Sequence, residues 1–217
     1  MLREQIKMLR LRFDVDYPYH SRLNSVLYMW GYRASYWYYL NEAKAIALLI
    51  NASQVDVKAY WFFTPYTLPD KTLLSLLTPD KHVIGLHVIN SPEAELAKLE
   101  SIVGRKVEYY TVHGTDSLAG QFIWHRKIGQ KVIEVPKDFP CKNFHEELTH
   151  SLDRACYGVS FEKALVETYR RVARGFVLAA HPEWLTKSNG NSRGPYYDVL
   201  FSLLSGNVPA SYVKHLA

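Results

Sequence analysis

The sequence predicts an α/β protein built on a parallel sheet, and three observations carry that reading. First, short apolar runs alternate with longer amphipathic ones along all 217 residues, with no internal repeat, low-complexity run or linker. Second, the runs Ala59–Phe63 and Val177–Ala180 are apolar on both faces, as strands covered by helices on both sides must be. Third, several runs end in groups capable of chemistry, namely Asp14 and Asp16, His87, His113 and His181. The C-terminal ends of parallel strands share one rim, where α/β proteins build their sites.

The elements follow in chain order. Leu9 to Asp16 is a strand with clean alternation. Leu9, Leu11, Phe13 and Val15 take one face, and Arg10, Arg12, Asp14 and Asp16 the other. Ser35 to Ile50, rich in Ala and Leu, reads as a helix, and Val57 to Phe63 as a strand stopped by Thr64-Pro65. Asp70 to Leu77 is a short helix, and Val83 to His87 a strand. Ser91-Pro92-Glu93 then starts a helix with Ser91 as its cap, running to Val103 before Gly104. Lys106 to His113 is a strand and Lys131 to Val135 a weaker one. Phe144 to Ala155 and Phe161 to Ala173 read as helices, and Phe176 to His181 as the last strand. A helix from Tyr196 to Leu204 follows a loop rich in Asn, Ser and Gly. This makes about six or seven βα units in a single domain over residues 1–217. A barrel and an open doubly wound sheet both satisfy the periodicity.

Composition narrows the function class. With 48% hydrophobic and 22% charged residues, the chain has the balance of an ordinary globular protein with a full core. The net charge of +5 is spread along the chain rather than gathered in a basic arm, so no nucleic-acid partner is expected. No run is long and apolar enough for a signal peptide or a membrane span, which sets a cytoplasmic location as the expectation. Cys141 and Cys156 match no zinc or redox spacing, and a disulfide between them is not inferable. The chain has sixteen tyrosines and five tryptophans, and many sit in Tyr28–Trp30, Tyr36–Tyr39 and Tyr60–Phe63. Rings with a polar edge can stack on sugars, although most such residues pack cores.

Two carboxylates and three imidazoles on one rim form a ligand set for a divalent ion, with zinc expected first. Three protein ligands leave a position for water, whose pKa the ion lowers, and a second carboxylate can take its proton. Simple ion pairs with Arg10 and Arg12, which share the face of Asp14 and Asp16, are the competing explanation of those carboxylates.

Leu11-Arg12-Phe13-Asp14-Val15-Asp16-Tyr17-Pro18 resembles the first motif of the polysaccharide deacetylase superfamily, the NodB-type carbohydrate esterases. His82-Val83-Ile84-Gly85-Leu86-His87 resembles the second, and Val177-Leu178-Ala179-Ala180-His181-Pro182 the closing motif. The resemblance runs from residue 9 to about residue 184 in the family's order. It implies a distorted (β/α) barrel of about seven strands that removes acetyl groups from N- or O-acetylated sugars by attack of metal-bound water. Asp14 would be the base, His181 the acid, and Asp16 and His87 metal ligands. Two features depart from the pattern. Ser91 stands where a second motif His is usual, and His113 is inferred to take its place. The family's Arg-x-Pro-Tyr motif is missing after the second motif, which leaves the group that orients the base unassigned.

Trp124 and Trp184 are candidate substrate walls, and the expected partner is a carbohydrate or small molecule. Another metal-dependent amidase or phosphoesterase, and a binding domain that has lost its metal, are the alternative functions.

Overall fold

Alternation along the first strand has a consequence beyond the strand itself, because both of its faces turn out to be covered. The structure, a computed structural model, describes residues 8–19, 21–33, 35–113, 133–144, 148–185 and 195–207. Its strands are β1 (Leu9–Val15), β2 (Val57–Phe63), β3 (His82–Val88), β4 (Tyr109–Val112), β5 (Lys142–Asn143), β6 (Thr149–Ser151) and β7 (Val177–Ala180). All pair in parallel, in the order β5-β4-β3-β2-β1-β7-β6. Leu9, Leu11, Phe13 and Val15 lie in the main core, each about 1% exposed. The opposite face is no solvent face, since Arg12 and Asp16 are buried too.

Strand order and chain length together settle the choice between an open sheet and a barrel. The order is the cyclic sequence one to seven, interrupted between β5 and β6. Six strand spacings in a flat sheet would put those edges about 29 Å apart. Six residue steps from Asn143 to Thr149 reach at most about 22 Å. The sheet must therefore curl until its edges approach. Phe144, just past β5, accordingly shares a buried cluster with Phe62 of β2 and Val177 of β7. The fold is a curled half-barrel of seven parallel strands with helices around it, as the sequence reading anticipated.

Inside the curl, Gly85 of β3 lies beside Phe62 of β2. A Cβ on Gly85 would stand 2.4 Å from the Phe62 ring, which is fully buried and has nowhere to go. We expect Gly85→Ala to lower stability by about 1–3 kcal/mol, read as a fall in denaturant midpoint at unchanged slope.

The helices are α1 (Arg22–Met29), α2 (Asn41–Asn51), α3 (Lys71–Leu76), α4 (Pro92–Val103), α5 (Leu152–Cys156), α6 (Phe161–Ala173), α7 (Pro182–Leu185) and α8 (Tyr196–Leu204). Four expectations need correction. The helix read over Ser35–Ile50 is a 3-10 turn at Tyr36–Tyr38 and then α2, separated by Leu40 in the left-handed region at φ 51°. Residues 133–135 of the weak strand Lys131–Val135 are not in a strand, and the next ladder member is Lys142–Asn143. The helix read from Phe144 begins only at Leu152, because Thr149–Ser151 pairs with β7 and Ser151 then caps α5 through the Arg154 N–H. Ser91 makes no side-chain cap. Instead Glu95 reaches back to accept from the N–H groups of Ile89, Asn90 and Ser91. Cys141 and Cys156 are buried free thiols, and no described helix is long and apolar enough to cross a membrane.

His82, given no role by the sequence, is a structural group. Trp61 Nε1–H donates to its Nδ1 at 2.9 Å, so Nε2 carries the proton and faces Asn51 Oδ1 at 2.8 Å. Burial pushes its pKa down to about 4. An unfolded chain binds this proton near pH 6.5, so stability is full above that pH and declines as pH falls from about 6.5 to about 4. The expected loss is up to roughly 3 kcal/mol. Melts at pH 7 and pH 4.5 of wild type and His82→Leu measure it, and the variant's profile should be flatter over that window.

Candidate metal centre

Each residue of the site stands at or just past the C-terminal end of a strand, and the register sets its height. Asp16 follows β1, and Thr67 fixes the end of that strand by donating its hydroxyl to the Val15 carbonyl at 2.5 Å. His87 lies within β3 beside Thr111 of β4. His113 extends that ladder one step further through its N–H to the Val88 carbonyl. His181 follows β7 immediately before α7.

These side chains converge. His87 Nε2 lies 3.3 Å and His113 Nδ1 3.6 Å from Asp16 Oδ1, and the two nitrogens are 3.1 Å apart. All three residues are buried, and their ligand atoms lie within 4.8 Å of one another. Thr111 Oγ1 holds His87 Nδ1 at 2.6 Å, which fixes the ring and directs Nε2 inward. Asp16 Oδ1 is buried without a hydrogen-bond partner among the described residues. A carboxylate oxygen left unsatisfied between two imidazole nitrogens is the expected state of a cation site without its cation. Two nitrogens and an oxygen suit zinc and the neighbouring first-row metals. The residues present thus fit a divalent ion, with His113 beside Asp16 and His87.

The second Asp16 oxygen faces the acid side of the site. His181 Nε2 is 3.3 Å from Asp16 Oδ2, and its Nδ1 lies 2.6 Å from Asp153 Oδ2. Burial alone would lower the His181 pKa. Hydrogen bonds to Asp153 and Asp16 outweigh it and hold the ring well above the ordinary imidazole range. Asp153 and Asp16 thus favour the protonated form of His181. For Asp16, burial pushes upward, but the close imidazoles of His113, His181 and His87 keep the carboxyl well below its usual value.

Asp14 belongs to the same field. Burial opposes its ionisation, but the Arg12 charge and then those of His87 and His181 hold its pKa low. Arg12 grips it through both oxygens, at 2.9 Å from Nε and 2.6 Å from Nη2, with the guanidinium over the Phe62 ring. The ion-pair explanation thus holds for Asp14 and not for Asp16. Arg10 donates to the Gly175 carbonyl instead.

Two further carboxyls escaped the sequence. Asp153 sits just past β6, near the end of the segment Phe144–Ala155 that was read as one helix. The available signal was the same one that found the others, a polar residue just past a strand, but the strand is only three residues long. Glu183 follows His181 in α7. Burial, reinforced by Asp16 and Asp153 and opposed by His181, pushes its pKa well above the carboxylate range. Its Oε1 is buried without a hydrogen-bond partner among the described residues. Trp124 and the side chain of Trp184 lie outside the described residues. Of the aromatic clusters, Trp61, Phe62 and Phe63 are core, whereas Trp30, Tyr32, Tyr36, Trp37 and Tyr38 are exposed on the connection that leads from Asp16 to α2.

No protein-family model and no curated protein matches the sequence. Among solved structures, the chain is similar to a mutant of BA3943, a CE4 family pseudoenzyme with restored enzymatic activity, at TM-score 0.47 and 16% identity, covering 91% of this chain and 63% of that one. It is similar to wild-type BA3943 from Bacillus anthracis at TM-score 0.47 and 15% identity, covering 92% and 62%. It is also similar to the Xyl-CE4 domain of a multidomain xylanase from the hindgut metagenome of Trinervitermes trinervoides, at TM-score 0.37 and 12% identity, covering 97% and 90%. The chain thus spans under two thirds of the BA3943 chains.

Proposed function

We propose that this protein is a metal-dependent hydrolase that removes an acetyl group from an N- or O-acetylated sugar. The observation that carries the reading is the juxtaposition on Asp16. One oxygen meets the nitrogens of His87 and His113, and the other meets His181 backed by Asp153.

Asp16, His87 and His113 would hold the ion, with zinc the first choice. A bound divalent ion supplies a lowered water pKa and a polarised acetyl carbonyl. Asp14, ionised and fixed by Arg12, takes the proton of the attacking water. His181 gives its Nε2 proton to the leaving nitrogen or oxygen as the acyl bond breaks, while Asp153 keeps the ring oriented and charged. The exposed rings of Trp30, Trp37 and their neighbours give faces on which a sugar can stack.

Elemental mass spectrometry of the purified chain, after incubation with zinc, cobalt, nickel, manganese and iron, is the first test. About one equivalent of metal, with acetate released from a panel of N- and O-acetylated sugars, is the expected result. No retained metal under any of these conditions would sink the mechanism. A second reading, a sugar-binding domain without catalysis, is favoured by the grip of Arg12 on both Asp14 oxygens, which leaves a weak base. Retained metal and sugar binding without acetate release would select it.

A further inference from the structure

The barrel end opposite the metal centre holds a cavity that the proposed reaction does not use. Its volume is about 360 Å³, at the lower end of the range of small-molecule sites. The starts of β2 and β3 and the turn before β4 form it, at the end of a βα barrel where residues ordinarily serve stability.

Two features of the lining point to a ligand. The first is charge. Lys58, Arg105 and Lys106 face the cavity against one carboxylate, Glu108. His82, also in the lining, is neutral because both ring nitrogens are committed to Trp61 and Asn51. Lys106 is shared with Glu100 at 3.2 Å, and Lys58 spends two of its three N–H donors on the carbonyls of Pro79 and Asp80. Arg105 has no carboxylate partner among the described residues, so a five-donor fork stands unspent at the rim. The second feature is the wall. Tyr60 and Tyr109 line the cavity edge to face at 5.7 Å, both against Phe144 behind them. A basic rim over an aromatic wall matches a ligand with an anionic head and a flat body.

We propose that this mouth binds a small phosphorylated molecule with a planar ring, the phosphate on Arg105 and Lys58 and the ring against Tyr60 and Tyr109. The site is separate from the metal centre and does not depend on the hydrolase reading.

Calorimetric titration of the full chain with phenyl phosphate, inorganic phosphate and phenol tests it. Phenyl phosphate should bind more tightly than either fragment, with affinity that falls as salt rises. Arg105→Glu should weaken it by about tenfold or more, and Glu108→Gln should strengthen it, because the two changes move the local charge in opposite directions. Asp16→Ala should leave it unchanged. The proposal is overturned by no saturation up to about 10 mM, by inorganic phosphate binding as tightly as phenyl phosphate, or by equal affinities in Arg105→Glu and wild type. It is equally overturned if Asp16→Ala abolishes binding, which would place the ligand at the metal centre. Both charge variants lie at exposed positions, so a lost signal with an unchanged melting temperature reads as lost binding.

Discussion

Asp16→Asn should abolish metal retention and acetate release together. The side chain keeps its shape, but the charge that faces His87, His113 and His181 is gone. Loss of a group that merely orients a ligand typically costs 10–100-fold in metal affinity, so loss of an anionic ligand should exceed roughly 100-fold. Activity should fall by about 10³-fold or more, since the step that creates the nucleophile fails with the metal. Elemental analysis and an acetate assay on the same preparation, with circular dichroism to show a folded chain, measure this. A folded variant with a full metal equivalent would remove Asp16 from the ligand set.

Asp153→Asn should act differently, sparing the metal and damaging proton delivery. Asp153 is the first of the groups that raise the His181 pKa against the effect of burial. Its loss lets that pKa fall, so less of the ring is protonated at neutral pH. A group that acts as an acid loses function as pH rises through its pKa, so the alkaline limb of kcat/KM should move to lower pH. The rate at neutral pH should drop by about 10²–10⁴-fold, with metal content unchanged. An alkaline limb that stays in place at an undiminished rate would deny His181 the role of acid.

The cluster around Asp16 was legible in the sequence because two physical regularities coincide. Side chains alternate along a strand, and parallel strands bring their C-terminal ends to one rim. Asp16, His87, His113 and His181 each obeyed both. Curling of the sheet was not legible in the periodicity, which a curled and a flat sheet share, and only the family resemblance implied it. The physical reason came from strand order, which sets a distance that the chain between Asn143 and Thr149 cannot span when flat. Asp153 was hidden by length. Three residues of β6 give too little alternation to outweigh the apolar spacing of Phe144, Leu148 and Leu152, which also suits a helix. The fate of Asp14 and Asp16 was undecidable for another reason. Both arginines shared their face, and only three-dimensional placement sent Arg12 to Asp14 and Arg10 to a backbone carbonyl.

The ladders on the two sides of β1 are unequal. β1 is zipped to β2 over seven residue pairs but to β7 over only three. His87 and His113 stand on the β2 side of β1, and His181 and Asp153 on the β7 side, with Asp16 as the joint between them. On the proposed function, a substrate entering beside His181 would load the three-pair β1–β7 ladder before the seven-pair ladder that joins β1 to β2.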